Sequence, residues 1–149
     1  MQTTLCFDFG NTRLKCAIFE NETLKDVVIL NDTNVETILQ FLRQHKATHS
    51  ILSSVVNHPP EIEKVLASET IFHKLDHTSK LPFTTPVGKP ETIGADRLAL
   101  IAAAVKLYPG KHNLVIGLGS CITYNFINKF HEFLVVIIFF NFGILHFTL

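Results

Sequence analysis

A carboxylate, a glycine and a run of small polar residues stand together in Asp8-Phe9-Gly10-Asn11-Thr12-Arg13-Leu14-Lys15, between the apolar runs Leu5-Cys6-Phe7 and Cys16-Ala17-Ile18-Phe19. The pattern reads as strand, tight turn, strand. Gly10 lets a backbone turn close to a phosphate with no Cβ in the way, Asn11 and Thr12 offer hydrogen-bond donors, and Asp8 can bind magnesium directly or through its waters. Lys15 adds a positive charge. The same residues also suit an ordinary β-hairpin with a polar tip, since Gly and Asn favour turns. A second group, Gly94-Ala95-Asp96-Arg97, stands at the head of an apolar-periodic segment. Its carboxylate can act as a base beside a guanidinium that grips an anionic substrate. It can equally be an acid placed favourably at a helix amino terminus, with Arg97 pairing locally. A third group, Gly117-Leu118-Gly119-Ser120, repeats the opening theme of strand, small polar turn and strand. Two such hairpins, at the starts of two similar halves, could clasp the phosphates of one nucleotide from opposite sides.

The elements that must carry these groups follow from periodicity. After the opening hairpin, Val27–Leu30 predicts a third strand, and Asn31-Asp32-Thr33-Asn34 a turn and helix cap. Val35, Ile38, Leu39 and Leu42 recur at helical spacing to about Gln44. Ile51–Val56 predicts a buried strand, Pro59-Pro60 a stop and a helix start, Ile62, Val65 and Leu66 the apolar face of that helix, and Ile71-Phe72 a short fifth strand. Residues 76 to 90 predict a connector. Leu98, Ile101, Ala102, Val105 and Leu107 predict a helix ending at Tyr108-Pro109-Gly110, Asn113–Ile116 a buried strand, and Cys121–Ile127 an alternating one. The order β-β-β-α-β-α-β implies a mixed sheet covered by helices. It differs from the β-α-β opening of a Rossmann domain, and no Walker-type glycine-rich loop joins a strand to a helix.

A chain of 149 residues, 47% hydrophobic and of zero formal net charge, suits one globular domain or part of a larger one. Scattered basic residues leave no electrostatic footprint for nucleic acid, so small molecules or proteins are the expected partners. Cys6, Cys16 and Cys121 are odd in number and widely spaced, as in a reduced compartment, and the eight histidines lack metal-ligand spacing. No signal peptide is visible at Met1–Leu5. Leu134–Leu149 is short of the ~20 apolar residues a membrane span requires and contains Asn141 and His146, so a strand awaiting its cover is expected there rather than an anchor.

With the Asp8–Lys15 turn, Gly94–Arg97 and the Gly119-Ser120 hairpin together, the chain resembles the type III pantothenate kinases over residues 1 to about 129. These belong to the acetate kinase, sugar kinase, heat-shock and actin superfamily. The resemblance implies an α/β, actin-like ATPase (ribonuclease H-like) fold. Residues 1–75 would form a first lobe, 76–111 a connector with the substrate-pocket and dimer helix, and 112–149 the incomplete start of a second lobe. It implies that Asp8, Phe9, Gly10, Asn11, Thr12, Arg13, Leu14, Lys15 and Ser120 contact ATP. Gly94, Ala95, Asp96 and Arg97 would line the pantothenate pocket, with Asp96 as proton acceptor. Asp8 would hold magnesium, and Gly117 stands at the position of the aspartate that binds a monovalent cation, potassium or ammonium. The implied reaction is phosphorylation of pantothenate to 4′-phosphopantothenate, the first step of coenzyme A biosynthesis, in a cytoplasmic homodimer with no membrane or nucleic-acid partner.

The chain departs from the family pattern in places. Gly117 supplies no carboxylate, Asn125 stands where aspartate is common, and Val87 lies near the position of a substrate-contacting tyrosine. Val135-Val136 replace an expected glycine pair and Phe139–Phe142 an expected Ser-Pro-Gly turn, and the resemblance implies that family members continue past Leu149 through most of a second domain. Losing one well-placed electrostatic stabiliser can cost ~10²-fold in rate, so little catalysis is expected of this chain alone. The alternative is a non-catalytic nucleotide-binding remnant or interaction module. A sugar kinase or polyphosphate phosphatase of the same superfamily fits Gly-x-Asp-Arg less well.

Overall fold

Residues 2–85 and 88–140 are described by the structure, a computed structural model. The amino-terminal part runs β1 (Thr3–Phe9), β2 (Leu14–Glu20), β3 (Thr23–Leu30), α1 (Val35–Gln44), β4 (His49–Ser54), α2 (Pro60–Glu69) and β5 (Ile71–Lys74). The mixed α/β class and the β-β-β-α-β-α-β order therefore hold. These strands form one sheet in the order β3-β2-β1-β4-β5. β2 is antiparallel to β1 and β3, whereas β4 runs parallel to β1 and β5 parallel to β4.

β1 alternates strictly, and this decides which way its chemistry points. Leu5, Phe7 and Phe9 are buried on one face, where they pack with Ile38 and Leu42 of α1 and Ile62 and Leu66 of α2. Thr4, Cys6 and Asp8 therefore lie on the other face. The Asn34 side chain caps α1 by accepting from the Glu36 amide at 3.0 Å, and Pro60 opens α2, where its missing N–H is not needed.

The carboxy-terminal part begins with a short 3₁₀ turn (Pro90–Thr92) and α3 (Ala95–Leu107), then β6 (Asn113–Leu118), β7 (Cys121–Ile127) and β8 (Phe133–Phe140). The last three form an antiparallel sheet in the order β6-β7-β8. A second core gathers Leu98, Ile101 and Val105 of α3 with Ile127 and Phe133, and Ile51 of β4 packs against it. α3 thus lies between the two sheets. The connector is anchored to the second one. Thr84 accepts from the Phe133 amide and donates its own amide to His131, both at 2.9 Å.

Several expectations are corrected. β3 starts at Thr23 rather than Val27, because pairing with β2 carries the ladder through the polar residues Lys25 and Asp26 on an exposed edge. β4 spans His49–Ser54 rather than Ile51–Val56, although the Val55 amide still donates to the Phe9 carbonyl at 3.1 Å. β5 extends to Lys74. β6 is not a buried strand: Leu114, Ile116 and Leu118 are exposed, because α3 covers only the opposite face. Val87 and the closing run past Phe140 lie outside the described residues.

Candidate functional site

β1, β4 and β5 are parallel, so their carboxyl ends share one edge of the sheet. Ligands of open α/β sheets bind in the crevice outside such ends. The Asp8–Lys15 turn sits at this edge, closed by a hydrogen bond from the Gly10 amide to the Arg13 carbonyl at 3.1 Å. Asn11, Thr12 and Arg13 are exposed, and their side chains have no hydrogen-bond partner among the described residues. Asp8 and Lys15 are register partners on one face, with Nζ 4.0 Å from Oδ2 and both side chains about half exposed.

Gly94 precedes the first residue of α3 and places Asp96 in its first turn. A Cβ on residue 94 would fall 2.6 Å from Asp96 Oδ1, 3.6 Å from Val55 Cγ1 and 3.7 Å from Arg97 Nε. A side chain at residue 94 would displace the Asp96 carboxylate from its place over this backbone. Ala95 is buried and seats the helix start in the second core. Arg97 Nη2 donates to the Thr92 carbonyl at 3.0 Å, so its local partner is the backbone of the preceding turn rather than Asp96.

The Val55 segment sets the Asp8 turn and the Asp96 helix start on the same side of β4, its amide on the Phe9 carbonyl at 3.1 Å and its side chain beside Gly94. Burial pushes the Asp8 carboxyl above the ordinary aspartate value; Lys15 opposes the shift and the negative charge of Asp96 adds to it. The half-exposed Asp8 carboxylate at this sheet edge is a hard oxygen donor of the kind magnesium takes, and on that ground Asp8 fits a magnesium ligand. No group of three or more potential His, Cys, Asp or Glu metal ligands occurs among the described residues, here or elsewhere.

Two residues that sequence reasoning missed complete the floor. Ser53 is the parallel-strand partner of Asp8, and its buried hydroxyl has no hydrogen-bond partner among the described residues. Val55 links the two motifs directly, with its amide on the Phe9 carbonyl and its side chain beside Gly94. The available signal was a pair of serines, Ser53-Ser54, directly after the apolar Ile51-Leu52 and closing β4.

The second hairpin is built differently. The Gly119 amide donates to the Cys121 carbonyl at 3.1 Å, and Ser120 is exposed at the tip. No hydrogen bond or ion pair joins Ser120 to the first turn among the described residues. A Cβ on Gly117 would fall 2.6 Å from Thr123 Oγ1 and 3.2 Å from Leu100 Cδ1. Thr123 is held in that position by Asn125, whose Nδ2 donates to Thr123 Oγ1 at 3.1 Å and to the Val115 carbonyl at 3.2 Å. Gly117 thus has neither a carboxylate nor room for one, and the residues present do not fit a monovalent-cation site there.

All three cysteines are free, and no helix among the described residues is long and apolar enough to cross a membrane.

The geometry can be set beside known proteins. A family model described as type III pantothenate kinase matches residues 4–140. The type III pantothenate kinase of Christiangramia forsetii is 40% identical over 123 residues, covering 81% of this chain and 51% of the relative. That of Flavobacterium johnsoniae is 31% identical over 134 residues, covering 87% of this chain and 54% of the relative. The chain spans about half the length of the curated relatives it matches. Among solved structures, the Aquifex aeolicus member of the Ppx/GppA family aligns with a TM-score of 0.41 and 14% identity, covering 92% of this chain and 50% of that one.

Proposed function

The chain belongs to the type III pantothenate kinase family, and from that premise we propose that its Asp8–Lys15 turn binds ATP with magnesium and its Gly94–Arg97 segment binds pantothenate for phosphorylation to 4′-phosphopantothenate. The observation that carries this reading is the placement of the Asp8 turn and the Gly94–Arg97 segment on either side of Val55, at the carboxyl ends of parallel strands.

The residues divide the work by chemistry. Backbone amides of Asn11 to Arg13, the free side chains of Asn11 and Thr12, and the Lys15 ammonium receive phosphate oxygens. Asp8 holds magnesium, which when bound neutralises phosphate charge. Asp96 accepts the proton of the pantothenate primary hydroxyl as its oxygen forms a bond to the γ-phosphorus and the bond to the ADP oxygen breaks. An alcohol is a weak nucleophile at neutral pH, and a positioned base contributes roughly 10²–10⁴-fold. Arg97, anchored by Thr92, orients the substrate carboxylate. Ser120 contacts ATP from the second hairpin. Residues 1–75, 76–111 and 112–149 serve as first lobe, substrate-pocket connector and start of the second lobe, and the protein works as a cytoplasmic homodimer through α3.

A coupled assay for ADP release dependent on both ATP and pantothenate tests this. Turnover that falls by ~10²-fold or more in Asp96→Asn is the expected result, whereas turnover unchanged by that substitution would overturn the assignment of the base. The closed position at Gly117 favours a second reading, a nucleotide-binding module without turnover. Calorimetric binding of Mg·ATP with no ADP release would select it.

A further inference from the structure

A chain of polar groups that the proposed chemistry does not use lies at the same sheet edge, against the inner side of the phosphate turn. His58 follows the exit of β4, and its side chain is only 8% exposed. Its Nδ1 lies 3.1 Å from Ser54 Oγ and 3.3 Å from the Val56 carbonyl, and its Nε2 lies 2.9 Å from Glu63 Oε1 in the first turn of α2. The same Glu63 oxygen accepts from Lys74 Nζ, at the end of β5, at 2.7 Å. The imidazole stands edge-on to the ring of Phe9, with centroids 5.7 Å apart and planes at 80°. These groups border a depression of about 270 Å³ at the carboxyl ends of β4 and β5.

Both ring nitrogens are engaged in either charge state. In the neutral ring Nε2–H donates to Glu63 while Nδ1 accepts from the Ser54 hydroxyl. In the charged ring both nitrogens donate, and Ser54 turns its proton to the Val56 carbonyl at 2.9 Å. A nearly buried ring committed at both nitrogens is fixed in one orientation, because turning it would strand buried polar atoms. The backbone here has few anchors of its own. Pro59 and Pro60 lack amide donors, and no side chain caps the amino terminus of α2.

We propose that His58, held by Glu63, is a positioning residue for the phosphate turn. It fixes the exit of β4 against Phe9, so that the Val55 amide stays on the Phe9 carbonyl and the Val55 side chain stays beside Gly94. One brace thereby sets the distance between the Asp8 turn and the Asp96 helix. Lys74 supports the brace by stabilising the Glu63 carboxylate, whose pKa is lowered chiefly by the hydrogen bond from that lysine.

The proposal rests on the reading that the Asp8 turn binds Mg·ATP, and the test separates the two. In the full chain, His58→Phe keeps a ring against Phe9 and removes both nitrogens, Glu63→Ala removes the anchor, and Glu63→Gln keeps an accepting oxygen. Calorimetry with Mg·ATP should show about tenfold weaker binding for the first two variants and about twofold or less for Glu63→Gln. Amide hydrogen exchange of the ligand-free proteins should rise at the Val55 and Gly10 amides, bonded to the Phe9 and Arg13 carbonyls, in His58→Phe and Glu63→Ala, with β1 to β3 otherwise unchanged. Unchanged exchange at those amides, or an equal rise over the whole sheet, overturns the brace. If the wild-type chain fails to bind Mg·ATP, the nucleotide reading falls, and the local exchange pattern still decides the brace.

Discussion

The two antiparallel meanders of this protein start alike and are finished differently. β1-β2-β3 and β6-β7-β8 each place a glycine-containing turn after the first strand, and in each a glycine amide closes the turn on a carbonyl at 3.1 Å. The penultimate residue of the first strand faces a cross-strand partner in both. In the first meander that pair is Asp8 and Lys15; in the second it is Gly117 and Thr123. The first leaves a half-exposed carboxylate with an ammonium 4.0 Å away, and the second fills the corresponding space with a threonine hydroxyl. Cover differs too. The first sheet has α1 and α2 on the face of Leu5, Phe7 and Phe9, and β4 beside β1. The second has α3 on one face and leaves Leu114, Ile116 and Leu118 exposed on the other. Two hairpins of one pattern thus differ in what surrounds them: only the first has a parallel neighbour at its mouth and leaves a half-exposed carboxylate there.

The contrast in cover makes the largest prediction. Leu52→Ala, at a fully buried site of the first sheet, should cost about 2–5 kcal/mol in urea unfolding. Ile116→Ala, half exposed on the second sheet, should stay within about 0.5 kcal/mol; a cost near that of Leu52→Ala would show that the second face is covered in solution. For ligand binding, Asp8→Ala should weaken Mg·ATP ~10²-fold by calorimetry, and Ser120→Ala only about threefold. Equal effects would mean that the two turns clasp the nucleotide as equals.

Restoring a carboxylate at Gly117 probes the filled space. Gly117→Asp should destabilise the fold by about 1–3 kcal/mol, since the new Cβ runs into Thr123 Oγ1 and Leu100. Adding Thr123→Ala should return part of that loss, and a neutral Gly117→Asp would show that the space is open.

The smallest effect concerns pH. Burial raises the Asp8 pKa above its unfolded value, so the folded state holds that proton more tightly. Its contribution to stability is present below the unfolded pKa and lost as pH rises through the folded one. Asp8→Asn should therefore slightly raise the unfolding midpoint at about pH 7, leave it unchanged at about pH 3, and weaken Mg·ATP binding throughout. A midpoint lowered at neutral pH would put the Lys15 ion pair ahead of burial.

Much of the architecture was legible. The apolar spacing of Ile38 and Leu42, the prolines before α2 and the alternation of Leu5, Phe7 and Phe9 each specify a local element and its buried face. Exposure was not. Asn113–Leu118 carries the apolar composition of a buried strand, yet composition does not say whether one face or both will be covered. The start of β3 was hidden for a related reason, since an edge strand can be polar and still complete its ladder. Within the site, Asp8 and Asp96 stood out by residue type, whereas Val55, Ser53 and His58 matter through neighbours from distant segments.

The sequence by itself determined the elements, their order and the family, because local periodicity and short motifs are properties of neighbouring residues. Only the tertiary structure decided that Val55 joins the Asp8 turn to the Gly94–Arg97 segment. It alone showed that Gly117 is closed by Thr123 and that His58 is pinned between Glu63 and Phe9. These depend on the parallel placement of β4 beside β1 and of α3 between the sheets, where burial and charge from separate segments act on one another.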